Sequence, residues 1–170
     1  MDIISHGLIG GLLSVKQKSK KNIFWVVFFS VLADLFFIPA FFYLGHTNKR
    51  FLWIPANSDW LNFSFYHPYL DILATISHSF IFAFLIILPL IFLFKLPKMA
   101  FFAYLIHIFI DILTHTGEFN IKLFYPLSDW AIGGFTDAWG WPIWQMSISW
   151  IIISAILIFA LKKNGSIHSN

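Results

Sequence analysis

Long apolar runs, separated by short basic clusters and two polar loops, set the pattern of this chain. Runs at 23–45, 69–94, 99–115 and 143–161 have the length and composition of helices that cross a hydrocarbon core about 30 Å thick. A shorter run at 2–15 predicts a partial helix that packs among the others. No alternation with a period of two residues is sustained, so strands are not expected. The pattern therefore predicts an all-α fold, a polytopic membrane helical bundle with about four full transmembrane helices and a short N-terminal partial helix.

Charge and proline interrupt the first two full runs. Asp34 is the one charge inside the first of them, and Pro39 is expected to kink it. Pro89 is expected to bend or shorten the far end of the second. We interpret residues 1–163 as one integral-membrane helical domain and residues 164–170 as a short polar tail.

Composition identifies the solvent of the chain as lipid. Hydrophobic residues make up 59% of the 170 residues, charged residues 11%, and the mean hydropathy is +0.78. Ordinary soluble domains are about 25% charged, so this chain cannot hide its apolar surface in one aqueous core. The net charge of +3 arises from short lysine clusters between apolar runs and does not indicate nucleic-acid binding. The absence of cysteine excludes disulfides, thiolate metal sites and a cysteine nucleophile.

Basic residues are distributed unequally between the two sides that alternating spans define. Lys49, Arg50 and Lys122 fall on one side, and every other lysine falls on the opposite side. The positive-inside rule then places the basic turns in the cytoplasm and the long loops, 46–68 and 116–142, outside an inner or plasma membrane. The lysines expected in the cytoplasm are Lys16, Lys18, Lys20, Lys21, Lys95, Lys98, Lys162 and Lys163.

Three ionisable residues recur at intervals of four in the third full run. His107, Asp111 and His115 would form one polar stripe on an otherwise apolar helix. Each ionisable group near the centre of a bilayer costs about 2.5–3.5 kcal/mol on insertion scales, so such groups require partners. A metal ion would partner all three at once, and hydrogen bonds among themselves and with neighbouring helices are the alternative.

Polar residues from other segments are expected at a similar depth. Counted from the outer helix ends, Asp34 lies roughly 15 Å deep, His78 roughly 13 Å, His107 roughly 12 Å and Asp111 roughly 6 Å. His6 falls near the outer end of the short first helix. Four separate segments thus deliver histidine and aspartate to the outer half of the membrane. This convergence favours a shared metal or proton site over isolated structural polar groups.

Five short motifs follow one another along almost the whole chain. They are MDIISHG at 1–7, LAD at 32–34, SHS at 77–79, HIFIDILT at 107–114 and FYPLSD at 124–129. Together they resemble the YdjM-type inner-membrane metal-dependent hydrolases, and the chain is distantly similar to the all-helical zinc-dependent phospholipase C and nuclease fold. The resemblance implies that the matching histidines and aspartates bind metal. It also implies hydrolysis of a phosphodiester or a lipid phosphate.

Histidine with carboxylate, and no thiolate, favours zinc, with manganese and iron as alternatives. Zinc lowers the pKa of bound water to about 7 and so supplies a nucleophile for a phosphorus or carbonyl centre. The predicted metal ligands, for one or two ions, are His6, Asp34, His78, His107 and Asp111. The predicted catalytic residues are Asp34, Asp111 and Glu118, and Asp2 and His115 are candidates for orienting the ligands or for acid–base chemistry.

The resulting hypothesis is a membrane-bound metal-dependent hydrolase that takes a phosphoester or lipid-phosphate substrate from the outer leaflet. Two alternatives stay open, a non-catalytic metal-binding protein and a proton or ion relay. A relay should continue to the cytoplasmic side, whereas these polar groups stop halfway. Gly133, Gly134 and Gly140 would let the second long loop fold over the site as a lid. We interpret Asp59, Asp129 and Asp137 mainly as surface or loop-turn residues.

Overall fold

A computed structural model describes residues 1–55, 57–60 and 67–168. Within these residues the fold is all-helical, as predicted, and strand pairing is confined to the isolated antiparallel bridge between Ile121 and Ile132. The helices are α1 Ile3–Ser14, α2 Lys20–Leu35, α3 Ile38–Thr47, α4 Pro68–Ser77, α5 Phe80–Leu93, α6 Lys98–Thr114 and α7 Ile143–His168.

The first full apolar run forms two helices, α2 and α3, which meet at an angle of 44°. The break falls at Phe36 and Phe37, before Pro39 rather than at it. Pro39 lies in the first turn of α3, where a helix needs no donor from its backbone nitrogen. The proline therefore starts the second helix, and the predicted kink lies just ahead of it.

The second run is also broken, and its two parts, α4 and α5, are bent by 60°. The break lies at His78 and Ser79, in the middle of the run, whereas the sequence predicted a bend near Pro89. The Ser79 hydroxyl accepts a hydrogen bond of 3.1 Å from the backbone N–H of Phe82 and so caps α5. The Tyr104 hydroxyl from α6 donates to the carbonyl of Ser77, which stabilises the end of α4.

Among the described residues, one helix is long and apolar enough by itself to cross a membrane. It is α7, in which Ile143–Gly165 comprises 23 residues with a mean hydropathy of 2.0. The count rises to 3 if each bent pair forms one span. The 17 residues of α6 extend about 25 Å, less than the roughly 30 Å of a hydrocarbon core. Helix α7 continues to His168, past its predicted end at 161.

Helices α1, α2 and α6 pack together around the centre of the molecule. The α1–α2 contact is close because Gly10 lies directly against Ser30, where a Cβ atom would come within 2.1 Å of the serine Oγ. Tyr104 and Ile108 of α6 are fully buried, as is Ala33 of α2. This packing turns the polar positions of the three helices toward one another.

Candidate metal centre

Ionisable side chains from four segments meet inside the helix bundle. His6 comes from α1, Asp34 from α2, His78 from the break after α4, and His107 and Asp111 from α6. His6, His107 and Asp111 each retain only 1% of their surface exposure. All five predicted metal ligands are therefore neighbours, and we call them the His/Asp cluster.

Main-chain carbonyl groups fix two of the imidazole rings. Nδ1 of His107 lies 2.7 Å from the carbonyl oxygen of Ser30, and Nδ1 of His78 lies 2.8 Å from that of Ala74. A carbonyl oxygen can only accept, so each Nδ1 carries the proton and donates it. In a neutral ring with this tautomer Nε2 is the unprotonated nitrogen, and a neutral imidazole with a free nitrogen is the form that binds metals.

The two Nε2 atoms face each other and two carboxylate oxygens. The two nitrogens lie 3.2 Å apart. Nε2 of His107 is 3.0 Å from Oδ2 of Asp111 and 3.7 Å from Oδ1 of Asp34. Nε2 of His78 is 3.4 Å from the same Asp111 oxygen and 3.8 Å from the same Asp34 oxygen. Oδ2 of Asp34 and Oδ2 of Asp111 have no hydrogen-bond partner. Two imidazoles and two carboxylates at these distances need a cation among them, which either a proton on an imidazole or a metal ion would supply.

The spacing of these atoms suits a tetrahedral metal ion. Zinc bonds of about 2.0–2.2 Å place neighbouring ligand atoms about 3.3–3.6 Å apart. The five separations in the His/Asp cluster run from 3.0 Å to 3.8 Å around those values. Four of its members, His6, Asp34, His107 and Asp111, also offer ligand atoms that all lie within 4.8 Å of one another. The cluster could therefore hold a metal ion.

Asp111 presents its other oxygen, Oδ1, to a second set of groups. Nε2 of His6 lies 3.0 Å away and Nε2 of His115 lies 3.4 Å away. The α-amino group of Met1 forms an ion pair with the same oxygen at 2.5 Å. The His6 ring also stacks on the ring of His107, with centroids 3.8 Å apart. Asp111 thus connects the two halves of the cluster.

Asp2 acts as the N-cap of α1. Its Oδ1 accepts hydrogen bonds of 3.0 Å from the backbone N–H groups of Ile4 and Ser5, and one of 2.9 Å from Nε1 of Trp150 in α7. These contacts stabilise the helix that carries His6 and attach it to α7. The capping role explains the position of Asp2 without a direct part in metal binding.

His115 lies just beyond α6, because the helix ends at Thr114 and His115 has an extended backbone. Its ring still reaches Asp111, and its Nδ1 lies 3.7 Å from Oδ1 of Asp137. Sequence reasoning placed Asp137 on a loop surface, since no spacing relates it to α6. The side chain of Glu118, which was predicted to be catalytic, lies outside the described residues.

The second long loop returns to the end of α6 beside the cluster. The backbone N–H of Gly134 donates to the carbonyl of His115 at 2.7 Å, and that of Phe135 donates to Leu113 at 3.2 Å. A Cβ atom on Gly134 would lie 2.2 Å from the carbonyl oxygen of Leu113, so this approach requires glycine. The return of the loop brings Asp137 to His115.

Two pockets of opposite character adjoin the cluster, and Asp34 and Phe37 line both. One, which we call the polar pocket, has a volume of about 90 Å³, and its walls combine apolar residues with the ionisable Asp71, His78, His115 and Lys122. The other is an apolar cavity of about 330 Å³ between the start of α1, α3 and α7. The cavity is lined by Met1, Asp2, Ile3, Asp34, Phe37, Ile38, Phe41, Phe42, Ala138 and Met146.

No family model, curated protein or solved structure matches the chain. The function is therefore inferred from the His/Asp cluster and from the two pockets beside it.

Proposed function

We propose that this protein is an integral-membrane metal-dependent hydrolase that cleaves a phosphoester, with a lipid phosphate as the favoured substrate class. The observation that carries the proposal is the convergence of two imidazole nitrogens and two carboxylate oxygens, those of His78, His107, Asp34 and Asp111. Such a set is unfavourable in a buried site unless it binds a cation. Zinc is the favoured ion, because neutral imidazole and carboxylate without thiolate suit it, while manganese and iron accept the same ligands.

A bound divalent ion would polarise the phosphoryl group and supply a water molecule activated for attack at neutral pH. The residues of the chain provide the rest. His78 and His107 are held by backbone carbonyls, so their ring orientation is set before substrate binds. Asp34 lines both pockets and is the ligand placed to contact substrate as well as metal. Lys122 lines the polar pocket and pairs with Asp129 at 3.0 Å, and it would offer a phosphate group a positive charge in exchange for that contact.

The proposal includes four membrane crossings. The first two are the bent pairs α2–α3 and α4–α5, the third is α6, and the fourth is α7. The positive-inside rule then places the lysine-rich turns in the cytoplasm and the cluster nearer the outer surface. The motifs shared with YdjM-type hydrolases and the depth of the polar residues support the same arrangement.

Metal content and activity of one purified preparation test the proposal. The tag belongs at the C terminus, because the Met1 amino group contacts Asp111. Metal would be measured by mass spectrometry in wild type, Asp34→Asn and His107→Ala. Hydrolysis of phosphomonoester and phosphodiester surrogates would be followed with and without chelator. His46→Ala is the matched control, because His46 is an exposed histidine at the end of α3.

The expected result is one or two ions per chain in wild type and in His46→Ala, with hydrolysis that is lost on chelation and in Asp34→Asn. A metal-loaded protein that hydrolyses none of the surrogates would favour the non-catalytic metal-binding alternative. Wild type that takes up no zinc, manganese or iron when each is supplied would overturn the metal centre itself.

A further inference from the structure

The apolar cavity beside Asp34 has the size and lining of a ligand site. Its volume of about 330 Å³ lies at the lower end of the roughly 300–1,000 Å³ range of small-molecule pockets. Eight of its ten lining residues have aliphatic, aromatic or thioether side chains, and the exceptions are Asp2 and Asp34. A surface of this composition binds hydrocarbon rather than a polar metabolite.

We propose that this cavity binds one hydrocarbon chain of a lipid whose phosphate head group lies at the His/Asp cluster. The assignment rests on the proposed function and adds to it the site of the lipid tail. It identifies the ligand as an amphiphile with a phosphate at the end of an alkyl or acyl chain. A free phosphoester without a tail would leave the cavity unused.

The two carboxylates that line the cavity differ in their availability. The Asp2 carboxylate already accepts hydrogen bonds from Ile4, Ser5 and Trp150, and its Oδ2 accepts one of 2.6 Å from the Ser5 hydroxyl. Asp34 has an oxygen, Oδ2, without a hydrogen-bond partner. Of these two carboxylates, Asp34 is therefore the one available at the junction with the cluster.

The arrangement of the two pockets fixes the direction of the ligand. The polar pocket with Lys122 and the apolar cavity share Asp34 and Phe37 as lining residues, so Asp34 places one edge of the cluster at the wall between them. A phosphate in the polar pocket would contact Lys122 and the proposed metal ion, which would offset the carboxylates of Asp34 and Asp71 in the same walls. Its chain would extend past Phe37 toward α3. The opposite orientation would bury a charged phosphate among apolar side chains.

Lipid can reach the cavity from the side of the bundle. Ile38 and Phe42 on α3 are 38% and 47% exposed, and Ile3 on α1 is 40% exposed, although all three line the cavity. Exposed apolar residues of this kind face acyl chains in a membrane. A lipid tail could therefore enter between α1 and α3 without crossing water.

Photolabelling tests the cavity without requiring turnover. The probe is a hexadecyl phosphonate with a diazirine at the end of its chain, used in nanodiscs, with labelled peptides mapped by mass spectrometry. The variants are Ile38→Trp, which fills the rim, and Ile156→Trp, which adds the same ring on α7 at a position that is 48% exposed and outside the cavity. Met146→Trp fills the cavity from the α7 side and serves if Ile38→Trp does not fold.

The expected result is labelling of α3 and of Met146 that unlabelled hexadecyl phosphate displaces. Labelling should fall about tenfold in Ile38→Trp or Met146→Trp and stay at the wild-type level in Ile156→Trp, since each methylene excluded from an apolar site changes binding by about fourfold. Labels spread over the exposed faces of α5 and α7, equal in all variants, would overturn the proposal.

A kinetic series separates this inference from the hydrolase activity. Alkyl p-nitrophenyl phosphates of increasing chain length would be compared in Ile38→Trp and Ile156→Trp. The ratio of kcat/KM for long chains to that for short chains should be about tenfold lower in Ile38→Trp. Hydrolysis with equal chain-length dependence in both variants would contradict the proposed tail site but not the proposed hydrolase activity. Specific labelling of the cavity without any hydrolysis would contradict the proposed hydrolase activity but not the proposed tail site.

Discussion

Helices α6 and α7 are both apolar, but they occupy opposite environments. Helix α6 carries His107 and Asp111 and buries seven of its residues, including both of these. Helix α7 has no buried residue in its most apolar stretch, and Ile151 and Phe159 are 66% and 69% exposed. Apolar composition alone therefore does not say which helix is central. The ionisable residues do, because they must be enclosed by partners, whereas a helix without them can face lipid.

Helix α7 is nevertheless attached to both ends of α1. Nε1 of Trp150 donates to Asp2 near one end of α1, and the side-chain amide of Asn164 donates to the carbonyl of Val15 near the other at 2.8 Å. These contacts leave most of α7 available to lipid. The comparison implies that substitutions in α6 act on metal binding and those in α7 act on insertion.

The largest expected effect is that of His107→Ala on metal affinity. Loss of a residue that merely orients a ligand weakens metal binding by about 10–100-fold, and loss of a ligand should exceed this. Bound metal should fall to background in His107→Ala, whereas Ile151→Ala should retain the wild-type content. Equal metal content in the two variants would show that α6 does not form the metal centre.

Acidification should remove metal from α6 while leaving α7 in place. Imidazole binds a cation only when unprotonated, so protons compete with the metal and its affinity decreases as the pH is lowered. The affinity would be compared at neutral pH and at a series of lower pH values. Competition with a fluorescent chelator measures the affinity, and protease protection of the α7 end should not change over the same range. A pH-independent affinity would exclude histidine ligands.

Ile151→Asp should disturb membrane insertion, because it places on the exposed face of α7 a carboxylate like that of Asp111, which α6 holds buried. The expected cost is about 2.5–3.5 kcal/mol, the value for an unpartnered charge in a membrane helix. The fraction of protein that resists alkaline extraction measures it, with Ile151→Ala as the control. An unchanged fraction would mean that this face of α7 does not contact lipid.

Two neighbouring glycines of α1 test the two contacts of that helix separately. In Gly10→Ala the new Cβ would lie 2.1 Å from Oγ of Ser30, on the α2 side, so we expect a loss of about 1–3 kcal/mol in stability. In Gly11→Ala it would lie 3.2 Å from a flexible methyl of Leu157 on α7, and the loss should be smaller. Thermal unfolding in detergent compares them. A larger effect at Gly11 would contradict the central position of the α1–α2 contact.

The smallest expected effect is that of Tyr104→Phe. The hydroxyl of this buried α6 residue donates to the carbonyl of Ser77 at the end of α4. Its removal should lower stability by about 1 kcal/mol, with metal content maintained. Tyr43→Phe, at a residue that is 44% exposed, is the control for the same change of side chain. Loss of metal in Tyr104→Phe alone would show that the break at His78 depends on this bond.

The sequence predicts the helical fold and the members of the His/Asp cluster better than it predicts how they are held. The interval between His107 and Asp111 places both on one helix face, and the depth of Asp34 and His78 puts them at a similar level. The break at His78 was not predicted, because a single Ser-His-Ser segment hardly lowers the hydropathy of a long apolar run. Asp137 was missed because only the folded loop brings it to His115.

The carbonyl groups that orient His107 and His78 have a consequence for the evolution of the site. Every amino acid carries the same acceptor, so Ser30 and Ala74 can be exchanged for other residues that fit without loss of these hydrogen bonds. In many metalloproteins a carboxylate side chain orients the metal-binding histidine, and that residue is retained for this reason. Here the geometry of the rings is inherited with the helical scaffold and should survive extensive sequence drift.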